Sequence, residues 1–411
     1  MRHCIACGAI LPDRSLFELR EAPASAQDIL DAATVGEDRG MTLTLHQCSA
    51  CGLVQLGCEP VHYYRDVIRA GGATATMRDL RTEQYRHLIE TWHLEGKRFL
   101  EVGCGRGEFL NFLRGFPVEA YGIEHKEELV RTARADGLRV WREFTERADQ
   151  VFGQGPEASM LPAPEEGWTL PDGPFDVFLS FNFLEHQPHP DVMLRSIRNN
   201  LAEDGMGLIT VPSLEYILER GSYYELLHDH IAYYSFETLR NLLERCGFAV
   251  LEETRINRDT ISMIVRKCAA VEDGDRRQVS VENMEPLFLG REAALASIRE
   301  WKTKLAAEGK KFAIWGASHQ GFTLASTAGL AGSVEYIIDS APFKQGRFAP
   351  ASHIPIVSPE YYFEKPVDAI LIVAPGYTGE IAEIIRRRYA PDVSVLTMRT
   401  NRIEQLSKER V

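Results

Sequence analysis

The sequence has no block of lysine and arginine, and no apolar run of the roughly 18 residues that a membrane-crossing helix needs. Its 46 Lys and Arg stand against 59 Asp and Glu, a formal net charge of −13 over 411 residues. That balance excludes non-specific attraction to nucleic acid or to anionic membranes. The first residues, from Met1 to Cys7, lack the apolar segment of a secretory leader. A reducing, cytoplasmic setting is therefore expected, in which paired cysteines serve metal or redox chemistry rather than disulfides. There are no internal repeats and no low-complexity tract. The length exceeds one ordinary core and implies two or three domains. Composition leaves the oligomeric state open.

What the chain does have are two Cys-x-x-Cys-Gly units, Cys4–Cys7 with Gly8 and Cys48–Cys51 with Gly52. A pair two residues apart can aim both sulfurs at one ion, and two pairs complete a tetrahedral thiolate site. Such a closed site has no open position, so the zinc expected here is structural. A redox dithiol is the competing reading. Residues 1–75 otherwise show few periodic apolar segments and read as a small piece that needs a staple.

From about Met77 the pattern is helical, and strands and helices then alternate. Strands are expected at Arg98–Val102, Ala120–Glu124, Arg139–Trp141, Phe175–Ser180 and Gly207–Val211. Helices are expected between them, at Glu108–Arg114, Glu127–Asp136 and Val192–Leu201. Residues 145–174 read as a surface insertion and Val271–Gln278 as a charged boundary. A second alternating unit follows the helix Glu292–Glu308, with strands at Lys311–Trp315, Val334–Ile338, Ala369–Val373 and Val393–Leu396. Leu330 and Ile381–Tyr389 are assigned to its helices. Such alternation implies parallel, doubly wound sheets. The expected architecture is α/β with three domains: 1–75 zinc-binding, 76–280 and 281–411 both Rossmann-like.

Gly103, Gly105 and Gly107 follow the first of these strands and open a helix, so backbone N–H groups can approach a ligand closely. Glu124 ends the next strand, where a carboxylate grips ribose hydroxyls. The form Glu101-Val-Gly-Cys-Gly-Arg-Gly107 is similar to the first motif of class I S-adenosylmethionine methyltransferases. In that likeness Glu101 faces the methionine amino group, and Asn182, Leu184 and His186 follow the fourth strand at the cleft. Glu185 stands there with them, and both it and His186 read equally as ordinary loop polarity.

The densest polar and aromatic cluster runs from Tyr223 to Ser235 and contains Tyr224, Glu225, His228, Asp229, His230 and Tyr233. Histidine exchanges a proton near neutral pH, and a neighbouring carboxylate can orient it. The bland reading is a cap, with Ser235 as N-cap of a helix over Phe236–Cys246. The two readings are compatible.

With these residues in place, the chain resembles the three-domain, zinc-containing C-methyltransferases of nucleotide-sugar pathways over nearly its whole length. The family's His-Glu-His-x-x-Tyr signature stands here as His228-Asp229-His230-Ile-Ala-Tyr233. Its C-terminal strand–Gly-Ala-Ser turn stands as Trp315–Gly321, and the later Asp…Lys-Gly-Arg…Ile-Pro-Ile stretch as Asp339–Ile356. The resemblance implies that His230 is the general base, with Asp229 as its neighbour and Tyr224, His228 and Tyr233 around it. It also implies an active-site tyrosine from the N-terminal region. Arg69–Met77 contains none, which leaves Tyr63 and Tyr64 as candidates. The turn at Gly316–Gly321 lacks both the P-loop Lys-Ser/Thr and a GxGxxG, which argues against ATP and NAD. A nucleotide-sugar substrate is expected there, near Ser318 and His319, with Lys344 and Arg347 as counter-charges; a degenerate structural domain is the alternative. The expected reaction is methylation of carbon in a keto-deoxysugar through an enolate. The Glu-to-Asp change motivates O-methylation as the alternative, and a non-catalytic zinc-ribbon scaffold is the third reading.

Overall fold

The structure is a computed structural model that describes residues 2–66, 75–153, 173–270, 280–398 and 401–407. The expected boundary at 271–278 and most of the expected insertion at 145–174 lie outside the described residues. In chain order the elements are β1 Phe17–Ala22, β2 Met41–Gln47, β3 Val54–Leu56, α1 Ala75–Trp92, β4 Arg98–Val102, α2 Glu108–Phe112, β5 Glu119–Glu124, α3 Glu127–Ala135 and β6 Arg139–Arg142. There follow β7 Phe175–Phe181, α4 Pro190–Asn199, β8 Leu201–Pro212, α5 Leu214–Arg220, β9 Ala232–Tyr233, α6 Phe236–Arg245, β10 Phe248–Ile256 and β11 Thr260–Lys267. The last stretch comprises α7 Glu285–Ala307, β12 Phe312–Trp315, α8 His319–Thr327, β13 Val334–Ile338, β14 Ile356–Val357, β15 Ala369–Ile372, α9 Thr378–Arg388, β16 Ser394–Thr397 and β17 Glu404–Gln405.

Among the described residues these strands form three sheets. The central one has the order β10-β11-β8-β7-β4-β5-β6. Its five strands from β8 to β6 are parallel, and β11 and β10 close the edge as an antiparallel hairpin. The parallel strands are apolar on both faces because helices cover both. Phe99, Leu100, Val102, Val177, Phe178 and Leu179 are all buried. The third sheet runs β14-β13-β12-β15-β16-β17 and is parallel except at β17. This is an α/β, Rossmann-like architecture in both units, as the alternation implies.

Several expectations need correction. Residues 1–75 hold three strands, not a piece without periodicity: β1 alternates, with Phe17 and Leu19 inward and Glu18 and Arg20 outward. These apolar faces do not form a core of their own. Phe17, Leu43, Leu45 and Val54 pack in one cluster with Leu287, Ile314, Phe322 and Leu371 of the C-terminal unit. The fourth strand of that first sheet is β9, which pairs antiparallel with β3 although it lies about 180 residues later in the chain. The β10–β11 hairpin was not anticipated, β8 begins at Leu201 rather than Gly207, and α7 begins at Glu285 rather than Glu292. Pro286 explains that start, since proline suits a first helical turn. Leu330 lies in the turn after α8, not in a helix. The helix after Ser235 does have its expected cap: Ser235 accepts from Thr238 N, and the Thr238 side chain returns the bond.

Candidate active site

Parallel strands leave a crevice at their carboxyl ends, and Gly103, Gly105, Gly107, Glu124, Asn182, Leu184 and His186 stand at or just beyond the ends of β4, β5 and β7. At the end of β4, Gly103, Gly105 and Gly107 all adopt left-handed backbone, with φ of 71°, 59° and 80°. A side chain at Gly103 would also press on the ring of Phe183. Glu124 ends β5 and is nearly buried. Its Oε2 accepts from Gly105 N at 3.0 Å and its Oε1 from Lys126 N at 2.9 Å. The carboxylate thus fixes the glycine turn. Gly103, Glu124, His125, Glu143, Phe144 and Phe183 line a small cavity at this edge. Sequence reading missed His125, Glu143 and Phe144. The first follows Glu124 directly, and the other two follow β6 as His125 follows β5, a positional signal present in the sequence. Glu101 is fully buried on β4.

Asn182 stands at the end of β7 with φ 47°, a conformation asparagine tolerates better than most residues. Its Oδ1 accepts from Thr210 Oγ1 at 2.8 Å, which ties β7 to β8. Leu184, Glu185 and His186 form the next turn, and all three are buried. His186 is not directed toward the cavity beside Glu124. Its Nδ1 lies 2.7 Å from the backbone carbonyl of Asp229, and its ring meets His230 edge-on with centroids 4.7 Å apart. A carbonyl only accepts, so Nδ1 carries the proton and Nε2 presents a lone pair. Burial lowers the His186 pKa to about 4, which keeps the ring neutral at pH 7.

His230 sits in the turn between Tyr223–Glu225 and β9. Burial lowers its pKa well below the usual histidine value, and the nearby rings of His186 and His319 lower it further. It is therefore neutral and able to take a proton. Its two sequence neighbours face elsewhere. Asp229 was expected to orient His230, but its carboxylate turns toward the N-terminal segments. Oδ1 accepts from Tyr63 Oη at 2.7 Å and Oδ2 from Ala26 N at 2.9 Å, and Ser25 Oγ lies 2.6 Å from the same tyrosine hydroxyl. His228 lies between two carbonyls, with Nδ1 2.7 Å from Ala24 O and Nε2 2.7 Å from Glu59 O. Both nitrogens must donate, so this ring is an imidazolium. Burial opposes the charge, but the Cys58 thiol and the Glu59 and Ala24 carbonyls outweigh it and hold the pKa up at about 9.

Of the tyrosines, Tyr233 closes the same turn. Its hydroxyl accepts from Leu227 N and donates to Leu227 O. Tyr224 is buried edge-on against Tyr223. Of the two N-terminal candidates, Tyr63 reaches Asp229. Tyr64 instead lies against Phe144 at the cavity beside Glu124.

The four residues expected to meet substrate in the C-terminal unit are not equivalent. His319 opens α8, and its Nε2 lies 3.2 Å from Glu225 Oε2, on the turn that precedes His230. Ser318 caps α8 by accepting from Gly321 N. Lys344 is engaged with Ala317 O at 2.7 Å and Asp339 Oδ2 at 3.2 Å. Arg347 donates to Ile29 O at 3.1 Å. Only His319 is brought to the histidine pair.

The four cysteines converge, with all four Sγ atoms within 4.8 Å of one another. Cys4 Sγ and Cys51 Sγ are 3.5 Å apart, as are Cys7 Sγ and Cys48 Sγ. Tetrahedral zinc with sulfur at about 2.3 Å places sulfurs about 3.8 Å apart, so the set fits such an ion. No cysteine is in a disulfide.

Two stretches of the chain match known protein families. Residues 76–253 match a family described as a methyltransferase domain, and residues 291–393 match the C-methyltransferase C-terminal domain. The middle of the chain is a methyltransferase domain. More particularly, the chain is similar to the C-methyltransferase NovU of Streptomyces niveus, 29% identical over 213 residues, which cover 48% of this chain and 51% of that protein. The chain thus spans about half the length of the curated relative it matches. Solved structures similar to it include an S-adenosylmethionine-dependent methyltransferase from Aquifex aeolicus, at 16% identity and TM-score 0.34, over 47% of this chain and 94% of that one. Another is magnesium protoporphyrin IX methyltransferase from Synechocystis PCC 6803, at 16% identity and TM-score 0.32, over 51% and 86%. Among the described residues no helix is long and apolar enough to cross a membrane.

Proposed function

We propose that this protein transfers a methyl group from S-adenosylmethionine to a carbon next to a carbonyl in a nucleotide-linked sugar. The observation that carries the reading is His230, a half-buried imidazole that desolvation keeps neutral, beside the carboxyl edge of a methyltransferase sheet, in a chain whose C-terminal part matches a C-methyltransferase domain. We place the zinc-binding domain at 1–75, the methyltransferase domain at 76–280 and the C-terminal domain at 281–411. In this reading Gly103, Gly105 and Gly107 approach the cofactor, and Glu124 and Glu101 engage its ribose and amino group. Asn182 and Leu184 shape its cleft. The bound cofactor supplies a methyl activated by sulfonium charge.

His230 removes the proton α to the carbonyl, and the electron pair remains as an enolate. Burial keeps the base neutral in the resting site, and because it disfavours the protonated form the imidazolium made in this step needs a counter-charge. His319 stands across from His230, where the C-terminal unit can present the substrate. The four cysteines hold structural zinc, with no part in the chemistry. The setting is taken as cytoplasmic.

The test is incubation with methyl-labelled cofactor and a nucleoside-diphosphate 4-keto sugar, with product NMR. A new C–CH3 signal supports the reading. An O–CH3 signal moves it to a hydroxyl acceptor, and failure to bind S-adenosylmethionine would falsify catalysis of this kind.

A further inference from the structure

We infer that Glu185, and not Asp229, is the counter-charge of the His230 imidazolium, with His186 as the positioning residue between them. This rests on the role of His230 proposed above. When His230 takes a proton from the substrate carbon, the C–H pair stays on carbon as enolate and the ring gains a positive charge. The methyl then passes to that carbon, S-adenosylhomocysteine leaves, and the ring later returns its proton to solvent. A cation formed in a buried site needs a fixed negative partner.

The sequence neighbour cannot provide one at close range. Both carboxylate oxygens of Asp229 are engaged by Tyr63 and Ala26, on the side of the N-terminal segments. The carboxylate that does converge on His230 is Glu185. It is 1% exposed, and one of its oxygens lies within 4.8 Å of ring nitrogens of both His186 and His230. Glu185 Oε1 is 3.8 Å from His186 Nε2. That nitrogen presents a lone pair, because Nδ1 donates to Asp229 O. A lone pair facing a carboxylate is unfavourable until positive charge arrives beside them, and a protonated His230 brings it.

The groups facing His230 from the packed elements are Glu185 and His186 on the turn after β7, and His319 at the head of α8. Asp229 adjoins it on its own turn. Glu225, on the preceding turn, has its carboxylate on His319 and Gln320, and Asp229 has its own on Tyr63 and Ala26, so among the described residues Glu185 is the acid grouped with the His230 ring. Tyr234, fully buried, also lies within the field of Glu185.

The experiment follows histidine Cε1–H resonances of the full-length protein, selectively labelled, through a pH titration. His230 is assigned by loss of its signal in His230→Gln. Glu185→Gln keeps the side-chain shape and removes the charge. It should move the His230 midpoint down by about one pH unit or more, a tenfold change in proton affinity. Asp229→Asn should move it far less. An unmoved midpoint in Glu185→Gln overturns the inference, and so does a larger shift in Asp229→Asn, which remains a test even if the first variant does not fold.

Deuterium exchange of thymidine diphosphate 4-keto-6-deoxyglucose gives the kinetic arm. Glu185→Gln should slow it roughly 10–100-fold at unchanged KM, with partial recovery in Glu185→Asp. A loss seen in KM alone would overturn the inference. Absence of exchange in the wild type would count against the proposed function, whereas the titration shift would still report on Glu185.

Discussion

His228, Asp229 and His230 are consecutive, yet each meets a different part of the molecule. In the mechanism proposed above only His230 acts as a base, so His230→Ala should cut turnover roughly 10²–10⁴-fold. Calorimetry should find cofactor affinity near wild type, and an equal loss of affinity would mean the residue holds cofactor instead. Because burial keeps the His230 pKa low, activity should persist through mildly acidic pH and fall only as the ring protonates. Glu124 has a double task. Replacing it by Ala removes a charged acceptor from Gly105 N and Lys126 N, each such bond contributing about 1.5–3 kcal/mol. S-adenosylmethionine should bind at least tenfold more weakly, and unchanged affinity would place the ribose elsewhere.

At the scale of elements, the turn between Tyr223–Glu225 and β9 is suspended from the N-terminal segments by two devices. One is the Tyr63–Asp229–Ala26 contact and the other is the charged ring of His228. The pH dependences of His228 and of His186, whose Nδ1 donates to the Asp229 carbonyl of the same turn, have opposite signs. His228 has a folded pKa of about 9, above the unfolded value of about 6.5. Its contribution to stability is complete below about pH 6.5 and is lost as pH rises through about 9. His186 is depressed to about 4, so its contribution is present above about pH 6.5 and is lost as pH falls toward 4. Protection of residues 226–234 against hydrogen exchange, taken relative to the intrinsic rate at each pH, should therefore be greatest near neutral pH. His228→Gln should flatten the alkaline limb and leave the acid limb in place; an alkaline limb that survives would show that another group titrates there. Tyr63→Phe removes one bond to a buried carboxylate and should lower stability by about 1–3 kcal/mol in denaturant unfolding.

At the scale of the molecule, the first sheet is the junction. Its β9 strand comes from the same turn as His230, its apolar face packs on the C-terminal unit, and its cysteines pack beside the central sheet. We therefore expect zinc to support the active site by holding β3 and β9 in register. Elemental analysis should find about one zinc per chain, as a four-thiolate site implies. Cys48→Ser should lose the metal and reduce both stability and turnover together. A zinc-free variant with full activity would separate the cysteines from the catalytic turn.

The parts of the site legible in the sequence are those whose physics is local. Gly103, Gly105 and Gly107 announce a left-handed turn between a strand and a helix. Glu124 ends the next strand, the cysteine pairs carry their own spacing, and Ser235 with Thr238 makes a cap within four residues. Strands buried on both faces are legible for the same reason, since their apolar runs are continuous. The edge strand β10 is largely half-buried or exposed and weakly patterned, and the hairpin it forms with the buried β11 escaped notice.

What only the tertiary structure decided is direction. Adjacency in the chain suggested that Asp229 serves His230, but successive side chains in a turn diverge. Asp229 meets Tyr63, 166 residues away, and His228 meets the carbonyls of Ala24 and Glu59, 204 and 169 residues away. His186 and Glu185 reach His230 across a gap of more than forty residues, because β7 and β8 are neighbours in one sheet. Side-chain chemistry determined which residues can bind, donate or accept a proton. Packing of three sheets around one turn determined which of them meet, because the free energy of burying apolar faces is indifferent to how far apart those faces lie along the chain.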